Sequence, residues 1–306
     1  MLAFLLRRVI YALFVLIGVS TIVFFLMYLT GDPTLAMVPQ DATPQQIQEV
    51  RHRMGFDRPF IVQYGLFISR AVRGDFGFSY RLQQPALRVV MDRMPATLRL
   101  AAVSVGISLL VAVPIGIIAA VKRNSLVDRL TMIGVLFGQS MPTFWFGIMA
   151  IVIVSVKLRW LPTSGYQGPK YLILPGLTLG LYTSAIIARI LRSSLIEALG
   201  RDYIRTARAK GLSEARVLFR HALRNAWIPV ITVVGLQIGY LMGGSIITET
   251  VFSYPGMGLL TIQAILGQDM PVVQAFVVTV AAIIVLINLI VDILYTYLDP
   301  RVKYEV

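Results

Sequence analysis

The sequence predicts an all-α polytopic membrane protein with six transmembrane helices, both termini on the cytoplasmic side, and an extracytoplasmic helical insertion between helices 1 and 2. Three observations predict it. Hydrophobic residues make up 57% of the chain and charged ones 14%, too apolar a balance for a soluble core of ordinary proportions. Six windows approach or exceed the roughly 20 apolar residues that cross a bilayer: Val9 to Leu29, Leu100 to Val121, Leu130 to Val156, Tyr171 to Ile190, Ala226 to Val251 and Val272 to Leu298. Basic residues fall on alternate sides of those windows.

The first window follows Arg7 and Arg8. It is longer than a signal h-region and lacks a small-residue cleavage pattern, so it reads as an uncleaved helix. Arg7 and Arg8, then Lys122, Arg123 and Arg129, then nine Lys and Arg from Arg189 to Arg224, then Arg301 and Lys303 define one side. The short loops of the other side hold Lys157, Arg159 and Lys170. That bias sets the N-in, C-in orientation and accounts for the net charge of +13, so nucleic acid is not expected as a partner. Absence of cysteine excludes disulfides, thiolate metal sites and cysteine nucleophiles. The domain reading is residues 1–30 as the first helix, 31–95 as the extracytoplasmic segment, 96–301 as a five-helix core containing the loop 193–225, and 302–306 as a tail.

In the extracytoplasmic segment, Thr43, Pro44 and Gln46 read as an N-cap, a first-turn proline and a capping-box partner, with Gly55 as the stop. A second helix follows Pro59, with Phe60, Tyr64, Phe67, Ile68 and Ala71 on one face, and Gly74 ends it. Such a stripe lies on the membrane surface, packs on the bundle, or forms a lip for an external partner. Glycines four apart mark close helix contacts: Gly134 and Gly138, Gly176 and Gly180, then Gly235, Gly239 and Gly243. Pro114, Pro142, Pro175 and Pro229 kink or interrupt spans. Beside Pro142 stand Gly138, Gln139, Ser140 and Thr143, a polar patch in the third window. It lines a solute path or hydrogen-bonds between helices, and Gln237, Asn288 and Asp292 carry the same two readings.

Ser193 to Val230 holds a helical hairpin by its own signals. Ile196, Leu199, Tyr203 and Ala207 keep one face, Gly211 is a left-handed stop, and Ser213 caps a second helix with Ala215, Leu218 and Ala222 inward. It reads as a docking element or as a basic anchor on anionic lipid.

The run Tyr203-Ile-Arg-Thr-Ala-Arg-Ala-Lys-Gly211, followed by His221-Ala-Leu-Arg-Asn225, resembles the EAA loop of ABC importer permeases in the dipeptide, oligopeptide and nickel branch. The likeness extends to the opening FLLRRVIYALFVL, Gly31-Asp32-Pro33, Arg73-Gly-Asp-Phe-Gly77, Pro95-Ala-Thr-Leu98 entering the second helix, Thr248-Glu-Thr-Val-Phe-Ser-Tyr-Pro-Gly256 and Asp299-Pro-Arg301. Arg205, Thr206 and Ala207 stand where the general pattern has Glu-Ala-Ala, while His221 and Arg224 replace its later Ile and Pro, as in this branch.

That resemblance implies a coupling helix seated on a cytosolic ATPase, with Arg205, Thr206, Ala207, Lys210, Gly211, Leu218 and His221 as coupling residues. It implies a permease subunit of the bacterial inner membrane that carries short peptides or similar solutes. The implied partners are a second homologous permease in a heterodimer, two cytosolic ATPase subunits, an extracytoplasmic solute-binding protein and membrane lipid. The chain has no GxxxxGK[ST] loop, so no nucleotide cofactor is expected in it, and the partner ATPases would bind ATP and Mg. Gln139, Ser140, Thr143, Gln237, Glu249 and Asn288 are the candidate translocation-path residues. Glu249 is an interface residue beside water or a contact for solute or binding protein, and the stretch to Gln274 resembles an outer gate. No catalytic or metal residues are expected: His52 and His221 both lie outside the spans. The alternative is a secondary transporter or channel without an ATPase, disfavoured by the lack of an internal repeat and of evenly placed intramembrane ionisable residues.

Overall fold

A computed structural model describes residues 2–29, 34, 38 and 41–298. The motifs at Gly31 to Pro33 and at Asp299 to Arg301, and the tail 302–306, lie outside the described residues. Regular structure among the described residues is helical, with one isolated antiparallel bridge between Phe78 and Pro85. The chain divides into two compact units, Met1–Thr97 with Pro255–Val285, and Leu98–Tyr254 with Leu286–Val306.

In the first unit, helix α1 (Leu2–Leu29) carries the apolar span Leu6–Leu26. Helix α2 (Pro44–Met54) has the full capping box expected: Thr43 accepts from the Gln46 N–H, the Gln46 side chain accepts from the Thr43 N–H, and Gly55 closes the helix at φ 77°. Helix α3 (Phe60–Val72) ends before Gly74 at φ 75°. Its stripe packs on α1: Phe24 meets the rings of Phe60, Tyr64 and Phe67 at 5.2–5.4 Å, and Thr21 shares a 2.6 Å hydrogen bond with Tyr64. A tight loop then leads into α4 (Ala86–Val121), where Ser79 Oγ and the Tyr80 N–H donate to Asp269 at 2.5 and 3.2 Å. The unit also holds helix α11 (Met257–Leu266), whose first N–H donates to Thr97 Oγ1 at 2.9 Å, and the start of α12 (Met270–Leu298).

Helix α4 starts at Ala86, upstream of the boundary that Pro95 suggested. The buried face of Ala86, Val89, Val90, Ala96, Thr97 and Leu100 runs straight through the proline, and helix packing there outweighs one missing N–H.

The second unit is built around α7 (Lys170–Leu199), the most buried span, packed by α5 (Leu126–Ser140), α6 (Thr143–Ala150, continuing as π-helix to Lys157) and α10 (Leu223–Val251). Gly176 and Gly180 work as the four-residue spacing predicts. A Cβ on either would stand 2.8 Å from Val103 Cγ1 or the Ser104 carbonyl, so α4 approaches there backbone to backbone. Gly235 is covered by Val291 in the same way, whereas Gly134, Gly138 and Gly243 meet nothing within 4 Å. Several hydroxyls inside the spans bond backward along their own helices, as Thr178 to Leu174 O and Thr183 to Leu179 O, which removes the cost of orphaned donors at those positions.

Among the described residues five helical stretches are long and apolar enough to span, and the third window becomes a bent pair, α5 with α6, turned by 95°. Pro142 forces Met141 out of the helical region (φ −78°, ψ 130°) and is itself extended, so two consecutive residues redirect the chain.

Candidate functional site

The hairpin after α7 begins with a break. Helix α7 stops at Leu199, and α8 (Asp202–Ala209) starts afresh after Gly200 and an extended Arg201. That break resets the helical phase, so the buried face is Leu195, Ala198, Ile204 and Ala207, and Tyr203 is exposed rather than inward. Gly211 then adopts φ 75°, its N–H donating to Arg208 O at 2.9 Å, and a Cβ there would meet nothing within 4 Å. Backbone handedness, and not crowding, is what requires glycine at this point.

Ser213 occupies the N-cap position of α9 (Glu214–Arg216), yet its side chain makes no capping bond. Instead Arg208 closes the hairpin, donating through Nε and Nη2 to the two carboxylate oxygens of Glu214 at 2.8 and 3.0 Å. This paired contact also raises the pKa of Arg208 further above its ordinary value. The next six residues, Val217–Ala222, form π-helix, which runs into α10. One extra residue per turn shifts the inward face to Val217, Ala222, Ala226 and Val230, so Ala215 is exposed and Leu218 only half-buried. The hairpin's second arm is therefore the lower end of the fifth span.

Of the proposed coupling residues, Arg205, Thr206 and Lys210 are exposed, Ala207 is buried against the core, Leu218 and His221 are half-buried, and Gly211 sits at the turn. Arg205 lies 3.4 Å from Asp202, and Thr206 donates to Asp202 O at 3.2 Å. Arg201 pairs with Glu197 across the break. The result is a short helix with a cationic outer face, fixed inward by Ile204 and Ala207 and held in shape by Arg208 and Glu214.

The sequence reasoning missed a second fixture beneath it. Asp128, in the first turn of α5, is 3% exposed and receives Arg192 Nε and Nη2 at 2.6 and 2.7 Å. It also accepts the N–H of Asn124, which stands at φ 64°. Ser125, N-cap to this helix with an acid at its third position, was the available signal. The arginine lies 64 residues away and carries none.

The polar patch is only partly gathered. Two cavities, of about 350 and 230 Å³, lie within the second unit, and Thr143 and Tyr182 line both. Tyr182 stacks on Tyr240 with ring centroids 6.3 Å apart. Gly138 lines the larger cavity, but Gln139 and Ser140 line neither, and the Ser140 hydroxyl donates to Leu136 O of its own helix. Gln237 is buried, Asn288 is exposed, and Glu249 is wholly buried within the chain.

Comparison with known proteins gives these elements a common context. A dipeptide transport system permease protein DppB of Alkalihalophilus pseudofirmus is 41% identical, over 99% of this chain and 100% of its own length. A glutathione transport system permease protein GsiC of Escherichia coli K12 is 42% identical over the whole of both chains. Among solved structures, the MetNI methionine ABC transporter in an inward-facing conformation has a chain that superposes with a TM-score of 0.61 at 19% identity, covering 69% of this chain and 96% of that one. The description "binding-protein-dependent transport system inner membrane component" fits residues 112–304, and its N-terminal counterpart fits residues 1–101. With apolar spans throughout and full-length relatives of this kind, the chain belongs to the binding-protein-dependent transport system inner membrane components, the multi-pass permeases of the bacterial inner membrane.

Proposed function

We propose that this permease carries short peptides, glutathione among them, and takes its energy from ATPase subunits gripping the hairpin around Gly211. The hairpin's form carries the reading: a stiff, clamped helix with an exposed cationic face and Tyr203, continuous through the π-turn with the fifth span. A load applied to such a helix tilts the span attached to it. The names of the full-length relatives favour peptide-like cargo.

In this reading a second, homologous permease completes the path, two cytosolic ATPases bind ATP and Mg, and an extracytoplasmic binding protein delivers solute. This chain is not itself an enzyme. Thr143, placed on both cavities, is the best-supported of the path residues.

Proteoliposomes holding the complete set of subunits should accumulate a labelled dipeptide when ATP and Mg are enclosed with the ATPases. The purified chain should accumulate none, even under a proton or sodium gradient. Gradient-driven uptake by the chain without partners would establish the secondary-transporter alternative and overturn the reading.

A further inference from the structure

The first unit contains a cavity of about 600 Å³, lined by none of the candidate path or coupling residues. Phe24, near the end of the first span, forms one wall, and Phe67 and Phe76 form others. On its α3 side, Leu66 and Arg70 lie one helical turn apart, and Asp75 lines it from the following loop. Neither Arg70 nor Asp75 is in an ion pair among the described residues; the Asp75 Oδ1 accepts only the Gly77 N–H, at 2.9 Å.

The surroundings of α3 identify the solvent. One face packs on α1 and a second lines the cavity, while a third leaves Ile61 82% and Val72 83% exposed. An exposed apolar face on a helix packed against a membrane span suits the headgroup boundary, where lipid would cover it. The last turn of α3 carries Arg70, whose long side chain can reach a lipid phosphate.

We propose that this cavity is a phospholipid site, with an acyl chain against Phe24, Phe67 and Phe76, the phosphate on Arg70, and a headgroup ammonium on Asp75. A guanidinium suits a phosphate in a paired, planar contact, and the aromatic walls suit a hydrocarbon chain. The carboxylate sets the class: beside it an anionic headgroup is repelled and a zwitterionic one, phosphatidylethanolamine, is favoured over phosphatidylglycerol.

Native mass spectrometry of the full chain in mild detergent, titrated with each lipid, tests this. The wild type should retain phosphatidylethanolamine in preference to phosphatidylglycerol, and Arg70→Gln should weaken that retention about tenfold, the loss of one charge-assisted phosphate contact. Arg70→Lys should restore part of it, and Asp75→Asn should reverse the preference toward phosphatidylglycerol. Leu66→Trp, which narrows the cavity and keeps both charges, should weaken retention. Equal retention by wild type, Arg70→Gln and Leu66→Trp would overturn the proposal. So would displacement of the lipid by a dipeptide, which would make the cavity a solute site.

Discussion

Replacing Gly211 by proline should reduce ATP-driven uptake to background while the chain still reaches the membrane in normal amount. At Gly211 the backbone stands at φ 75°, and proline is held near −65°, so the turn cannot form as it stands. Proline also removes the N–H that donates to Arg208 O, next to the Arg208–Glu214 clamp. The two arms would separate, and a load on α8 would no longer reach the fifth span. None of this touches the apolar spans, so insertion should proceed. Gly211→Ala makes a useful contrast. Its Cβ meets nothing within 4 Å, so it carries only the left-handed penalty of about 1–2 kcal/mol and should keep much of the uptake. Uptake and ATPase stimulation are measured side by side; wild-type values in Gly211→Pro would refute the coupling role of the turn.

The second large effect is expected at Asp128. Its carboxylate is buried and takes both a paired Arg192 contact and the Asn124 N–H. Asp128→Ala leaves a half-buried guanidinium without its counter-charge, a loss of about 1–3 kcal/mol once its partial exposure is allowed for. Asn124, at φ 64°, also loses the acceptor that holds it. Thermal unfolding of the detergent-purified chain should show the drop. The double variant Asp128→Leu with Arg192→Met should recover most of it, since no unpaired charge remains. A double variant as unstable as the single one would mean that the pair is not the source of the effect.

The two fixtures differ in how far the sequence revealed them. Local devices were legible: the Thr43–Gln46 box and the left-handed glycines at 55, 74 and 211 depend on neighbours within one turn. On the inward faces of the hairpin, Ala207 and Ala222 are buried as their spacing predicts, whereas Tyr203 and Ala215 turn outward. Gly200 and Arg201 interrupt a pattern that seemed continuous from Ile196 to Ala207, and the π-turn at 217–222 inserts a residue that hydrophobic spacing does not announce. The start of α4 was hidden because Arg88, Asp92, Arg93 and Pro95 look like a loop, although they occupy the outward side of a helix buried along Ala86, Val89 and Val90. Partners far apart in sequence, such as Asp128 with Arg192 or Ser79 with Asp269, 190 residues apart, carry no periodic signature and needed the fold. Thr143 stood out as polar in an apolar window, but only the 95° bend explains why it, and not Ser140, meets two cavities.

Because the chain has no cysteine, one introduced thiol reports its own surroundings. Tyr203, exposed on α8 beside the cationic face, is the place for it. In Tyr203→Cys, a membrane-impermeant maleimide should leave intact cells unlabelled, label inside-out vesicles stripped of peripheral proteins, and be blocked when the ATPase subunits are added back. Labelling from outside intact cells, or labelling that the ATPases leave unchanged, would contradict the claim that this hairpin is the cytoplasmic handle of the permease.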